Sequence, residues 1–252
     1  MKKKYKILIT NDDGLFSFGL IPLVKELSKL GELCVIIPEK EMSAISHSLT
    51  LFSPVRVKEI KFDRFKIKLV SGTPADCVRL GIIEFQKKQT DIVISGINQG
   101  PNLGQDVNYS GTVAAAREAV FLNTTGVAIS TNGTNYELIS KISRKIIEKI
   151  LKTNLGKPLL LNINFPKNKP KGIQITSLGD RRYKEMVHKK IDPVGVPYYW
   201  LKSKLVCNVV QNNVSDVVAV TKGYISITPL TYDITDYKNL HEVKKIFSDF
   251  NI

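Results

Sequence analysis

Tyr5-Lys6-Ile7-Leu8-Ile9-Thr10-Asn11-Asp12-Asp13-Gly14 (residues 5–14) is a short β-rich apolar run that stops abruptly at polar turn residues. A strand without polar–apolar alternation is one buried on both faces, the signature of a parallel sheet between helix layers. The same texture returns at Leu33–Ile37, closed by Pro38, and at Asp91–Ser95, Val127–Ser130 and Leu159–Ile163. Helical patterns separate these runs. Leu20, Leu23, Val24, Leu27 and Leu30 form one stripe, with Pro22 near its start and Gly31 just past its end. Thr73-Pro74 reads as an N-cap and first helical position, 112–121 is rich in alanine, and Leu138, Ile139, Ile142, Ile146, Ile147 and Ile150 recur at helical spacing. Residues 55–60 and 65–70 add two strands. Strands alternating with helices predict an α/β fold: a mostly parallel sheet with helices on both faces.

The texture changes after Pro166. Residues 167–172 are rich in Lys, Pro and Gly, and 173–215 lack a clean period while carrying Tyr183, Tyr198, Tyr199 and Trp200. The expected organisation is one unit over 1–252: a core over 1–165, a smaller arm or hairpin subdomain over 166–222, and a final strand and amphipathic helix over 223–252. That helix would run through Leu240, Val243, Ile246, Phe247 and Phe250.

A length of 252 residues with 43% apolar and 24% charged residues excludes disorder, collagen-like repeats and a disulfide miniprotein. The 37 Lys plus Arg exceed 23 Asp plus Glu by 14, which points toward an anionic partner. Cys34, Cys77 and Cys207 are far apart and odd in number, so neither a disulfide framework nor a thiolate metal site is expected. Lys2, Lys3 and Lys4 imitate the start of a signal peptide, but the apolar run behind them is too short. No stretch approaches the roughly 20 apolar residues of a spanning helix. The expectation is a soluble, cytoplasmic protein without a membrane partner.

In an open α/β sheet, ligands bind beyond the carboxyl ends of the strands. That rule selects three loops: Asn11-Asp12-Asp13-Gly14, the segment carrying Glu39, Glu41, Ser43, Ser46 and His47, and residues 96–106. Asn-Asp-Asp-Gly is also a common turn composition, and Ser43 or Asn98 alone would be a capping or turn residue. Two adjacent carboxylates repel, however, and a hard divalent ion with oxygen ligands removes the conflict. Ser43 and Asn98, placed after neighbouring strands, can share such an ion. Glycines 96, 100, 104 and 111 permit close backbone approach, and Ser110-Gly111-Thr112 opens a helix whose N-terminus suits an anion.

The strings ILITNDDG (7–14), SGTPADCV (71–78), SGINQGPNLG (95–104), DVNYSGTV (106–113) and GYISITPL (223–230) together resemble the survival protein E (SurE) nucleotidase family, in the same order along the chain. The resemblance implies a Rossmann-like core and a metal-dependent 5′-nucleotidase, with 3′-nucleotides as further candidate substrates. It implies one Mg²⁺ or Mn²⁺ ion per subunit held by Asp12, Asp13, Ser43 and Asn98, of which Asp12, Asp13 and Asn98 are also expected to serve catalysis. Asn102, Ser110, Gly111 and Thr112 are then expected at the phosphate. An arm exchanged between subunits, in a homodimer or homotetramer, is implied as well. Ala44 and Ala119 stand where the family usually has glycine, so the loop after Ser43 is expected to differ in shape and the helix in packing.

Competing readings have weaker support. A basic nucleic-acid-binding module without catalysis would use the charge and the aromatics at 198–200, but no nucleic-acid motif appears, and no specific nucleic-acid partner is expected. A covalent role for Asp12 is disfavoured because its second aspartate is adjacent rather than one residue removed. His47, His188 and His241 are scattered; only His47 sits where a general base could act.

Overall fold

The computed structural model describes residues 4–154, 156–209 and 214–250; Lys2, Lys3 and residues 210–213 of the expected arm lie outside them. β1 (Tyr5–Thr10) has the expected bounds, and Ile7, Leu8 and Ile9 are fully buried. It lies between β2 (Gly31–Pro38) and β5 (Ile92–Gln99), parallel to both. β4 (Phe65–Val70) extends the sheet beyond β2, and β6 (Gly126–Thr131) and β7 (Leu160–Phe165) extend it beyond β5, all in parallel. Antiparallel β3 (Val57–Phe62) closes one edge. At the other, β11 (Ile225–Leu230) runs antiparallel to β7 and pairs in parallel with short β8 (Ile173–Ile175).

Two helix layers cover this sheet. Ile7 and Ile9 pack with Leu20, Leu23, Val24 and Leu27 of α1 (Leu20–Leu27) and with Ile139, Ile146 and Ile147 of α4 (Tyr136–Lys152). Leu8, on the opposite face, packs with Cys77 and Val78 of α2 (Pro74–Leu80) and Ala115 and Ala119 of α3 (Gly111–Phe121). The start of α2 follows the expected chemistry. Asp76 N–H donates to Thr73 Oγ1 at 3.1 Å and Thr73 N–H donates to Asp76 Oδ2 at 2.9 Å, a reciprocal capping box. Burial on both faces accounts for the strands that do not alternate, and Ala119 fills its site with a fully buried methyl.

β5 continues past the expected end at Ser95 through a bulge at Gly96–Asn98. Gly96 has φ 138°, and a Cβ there would stand 2.3 Å from the Ile129 carbonyl oxygen. Only glycine lets the strand swing its tip over β6. From β1 the chain crosses to β2 on one side and later returns to β5 on the other. The crevice where these directions diverge is the switch point of a doubly wound sheet, so the β1 and β5 loops open onto it.

The stretch without a clean period contains a long antiparallel hairpin, β9 (Asp180–Ile191) and β10 (Pro197–Val209). Asp216, fully buried at the start of α5 (Asp216–Thr221), ties its base to the core, accepting from Gly104 N–H at 2.9 Å and Gly179 N–H at 2.7 Å. The terminal helix forms as α6 (Leu240–Ile246), shorter than expected, and none of its residues is buried. Among the described residues no helix is long and apolar enough to cross a membrane.

Candidate active site

The loops beyond β1, β2 and β5 enclose a cleft of about 500 Å³ that brings Asp12, Asp13, Ser43, Asn98, Asn102 and Ser110 together. The turn leaving β1 is fixed by Asn11, whose amide donates to the Gly14 carbonyl at 2.8 Å and whose Oδ1 accepts from Gly14 N–H at 3.2 Å. This turn presents the two aspartates in succession. Asp12 is nearly buried and accepts from the Thr112 hydroxyl at 2.7 Å and the Thr112 N–H at 3.1 Å. Gly111 makes that approach possible: a Cβ there would lie 3.0 Å from Asp12 Cβ and Oδ2. Asp13 accepts from Gln99 N–H at 3.2 Å.

Both carboxyls are raised above the ordinary range. Burial is the main cause for Asp12; burial and then the neighbouring Asp12 charge push Asp13 up to about 6. Glu41 adds a third carboxylate that raises both, and it accepts from the Ser43 hydroxyl at 2.7 Å. Asn98 donates its amide to the Gly100 carbonyl at 2.8 Å, which leaves its Oδ1 as an acceptor. Asp106, also in the wall, is neutralised by Arg181, and Tyr183 donates to it at 2.9 Å.

Asn102 is held from below. Its N–H donates to Asn164 Oδ1 at 2.9 Å, its carbonyl accepts from Asn162 and Asn164 amides at 2.8 and 3.0 Å, and its own amide donates to Ser130 at 2.8 Å. Asn162 and Asn164 are fully buried and share one face of β7. Two polar residues at i and i+2 in an otherwise apolar strand need partners, a signal that could have identified them. Glu41, Asp106 and Tyr109 lie in segments singled out from the sequence, but their place in the wall depends on how the loops fold back.

Thr112 departs from the expected role, because its hydroxyl and N–H both hold Asp12 rather than facing the cleft. His47 does not line the cleft. Its Nε2 lies 2.7 Å from Glu118 Oε2 and its ring stacks on Phe121. Ala44 corrects a further expectation: it has φ 54°, so alanine keeps the left-handed turn that glycine would favour.

Carboxylates in the wall repel a phosphate, and a cation in the cleft would offset that repulsion. Among the described residues no Lys or Arg lines this cleft, and none forms an ion pair with Asp12, Asp13 or Glu41. No three His, Cys, Asp or Glu side chains among them form a ready metal cage. The available donors are carboxylate, hydroxyl and amide oxygens, a set suited to a hard divalent ion.

The family profile described as Survival protein SurE matches residues 7–185, from β1 into the hairpin. This chain belongs to the SurE family. A 5′-nucleotidase SurE of Thermoanaerobacter sp. (strain X514) is 44% identical over 94% of the chain and 96% of its own length. That of Syntrophomonas wolfei is 41% identical over 98% of the chain and 96% of its length. The crystal structure of the SurE protein from Aquifex aeolicus superposes with a TM-score of 0.81 at 39% identity, covering 96% of this chain and 99% of that one. SurE membership thus extends across the cleft and the arm together, and the α/β fold is shared with a solved structure.

Proposed function

We propose that this SurE chain is a 5′-nucleotidase: a divalent-metal-dependent phosphatase that hydrolyses nucleoside monophosphates to nucleoside and phosphate. The observation that supports it most is the uncompensated carboxylate cluster at the switch point, beside a helix N-terminus. Asp12, Asp13, Ser43 and Asn98 would hold one Mg²⁺ or Mn²⁺ ion. Such an ion, when bound, supplies positive charge to the phosphoryl group and acidifies a water.

The chain's own groups complete the site. Thr112 and Gly111 keep the Asp12 carboxylate fixed against the start of α3. The Gly111 N–H, first of α3, and the helix dipole favour negative charge at the cleft, while the Thr112 N–H holds Asp12. Ser110 Oγ accepts from Val113 N–H at 3.1 Å, so its hydroxyl hydrogen remains to donate to a phosphate oxygen. Asn102 keeps one amide hydrogen for the same purpose, since the other goes to Ser130. These donors are fixed before substrate arrives, the condition for stabilising charge that develops during the reaction.

The reading extends to assembly and location. Tyr199, Trp200 and Leu201 on β10 and the apolar stripe of α6 are exposed, which favours a homodimer or homotetramer. Cys34 and Cys77 are free thiols raised by burial, Cys34 to about 11, as suits a reducing cytoplasm.

The test is phosphate release from nucleoside monophosphates by the purified protein after chelation and after metal return. Activity should vanish with EDTA and reappear with Mg²⁺ or Mn²⁺. Full activity in excess EDTA overturns the metal-dependent reading.

A further inference from the structure

Phosphate, ion and water would fill only part of a cleft whose volume of about 500 Å³ lies within the usual range for small-molecule sites. Tyr109 stands in the remaining wall and is the one aromatic side chain there among the described residues. It directly precedes Ser110, the cap of α3. Its backbone is anchored on both sides: Tyr109 N–H donates to the Asp106 carbonyl at 3.0 Å, and Ser46 N–H donates to the Tyr109 carbonyl at 3.0 Å. The side chain is nevertheless 63% exposed, with no described ring stacked on it. Ala44 and Pro101 contribute apolar surface to the same wall. A tyrosine fixed at its backbone and bare at its ring offers a flat face at little conformational cost.

We infer that Tyr109 is the platform on which the nucleobase stacks while the phosphate lies at the Asp12–Ser110 end. The inference rests on the nucleotidase reading and adds the residue that distinguishes a nucleotide from other phosphomonoesters. Because every base has a π face, stacking of this kind recognises a base without reading its edge, and removing the ring weakens binding on the order of tenfold.

The test compares wild type, Tyr109→Ala and Tyr109→Phe on AMP and on ribose 5-phosphate, which keeps the sugar phosphate and lacks the base. Calorimetric binding of adenosine, which lacks the phosphate, accompanies the kinetics. Tyr109→Ala should raise KM for AMP and Kd for adenosine about tenfold, leave kcat unchanged and leave ribose 5-phosphate unaffected. Tyr109→Phe should restore the AMP and adenosine values. Equal losses on both phosphates, an unchanged AMP KM, or no rescue by phenylalanine would overturn the platform. If wild type releases phosphate from neither compound with metal present, the nucleotidase reading fails; an unchanged adenosine Kd in Tyr109→Ala overturns the platform by itself.

Discussion

β1 and β10 are both rich in apolar side chains, yet they occupy opposite environments. Ile7, Leu8 and Ile9 of β1 are fully buried between two helix layers, whereas Trp200 is 57% and Leu201 80% exposed on β10. Neighbours in a strand point to opposite faces, so β10 presents apolar surface on both sides of a two-stranded ribbon. One strand has everything it needs within the chain, and its end can hold charged groups in fixed positions. The other carries surface that only something outside the described fold can cover. The proposed reacting groups belong to the first environment and the proposed association surface to the second.

The largest expected effect lies at the end of β1. Asp12→Asn keeps the side-chain shape and one of the two acceptors that Thr112 uses, and removes one formal charge from the proposed metal site. Loss of metal-held charge stabilisation costs several kcal/mol, so phosphatase activity should fall at least about a hundredfold with circular dichroism unchanged. An Asp12→Asn protein as fast as wild type would remove the distinction between the two environments.

The second test belongs to β10. Trp200→Glu places a charge on the exposed ribbon and touches no cleft residue. If the hairpin mediates self-association, it should weaken assembly by roughly 2 kcal/mol, about thirtyfold in affinity, as expected for a buried aromatic anchor. Light scattering across a dilution series reads this directly. A wild-type protein that stays monomeric at tens of micromolar would overturn self-association through the ribbon.

The same contrast explains what could be read from the sequence. The bounds of β1 and the Thr73 N-cap with Pro74 behind it were legible because the run of buried residues and the cap chemistry are local. The three loops that meet at the cleft followed from the switch-point rule. The hairpin had no readable period because neither face is buried, and α6 has a helical pattern without a described surface to pack on. Thr112 reads as a phosphate contact because a helix N-terminus shows in sequence, whereas the carboxylate it grips is a hundred residues away. His47 was legible as a loop histidine, but its Glu118 partner lies on α3 and emerges only in three dimensions.

That pair gives a smaller effect. Glu118 has a side chain only 1% exposed and bridges His47 and Arg79. Burial alone would raise its carboxyl, but hydrogen bonds from His47 and Arg79 hold it below the usual range. Arg79 is partly solvated, so Glu118→Gln should cost about 1–2 kcal/mol, roughly 2–8 °C in Tm. A carboxyl lowered on folding contributes stability above its unfolded pKa and loses it as pH falls, so the gap between variant and wild type should narrow below about pH 4. Equal melting temperatures at neutral pH would show that Glu118 does not secure the Ser43 loop.

The smallest effect is expected one residue past Ser43. Ala44 sits at φ 54°, where an L side chain brings its Cβ close to the backbone at a cost of about 1–2 kcal/mol. Ala44→Gly removes that strain but gives the unfolded chain more freedom, worth about 0.4–1 kcal/mol in the opposite direction. The net should be stabilisation of about 0.5 kcal/mol, near 1–2 °C in Tm for a chain of this size. Ser43 and Glu41 keep their backbone positions in this variant, so activity should change little. A clear loss of stability would mean that the Ala44 methyl contributes contacts worth more than its strain. A clear loss of activity at unchanged stability would show that the loop needs alanine's rigidity to aim Ser43 at the cleft, extending the fixed environment of β1 into the neighbouring loop.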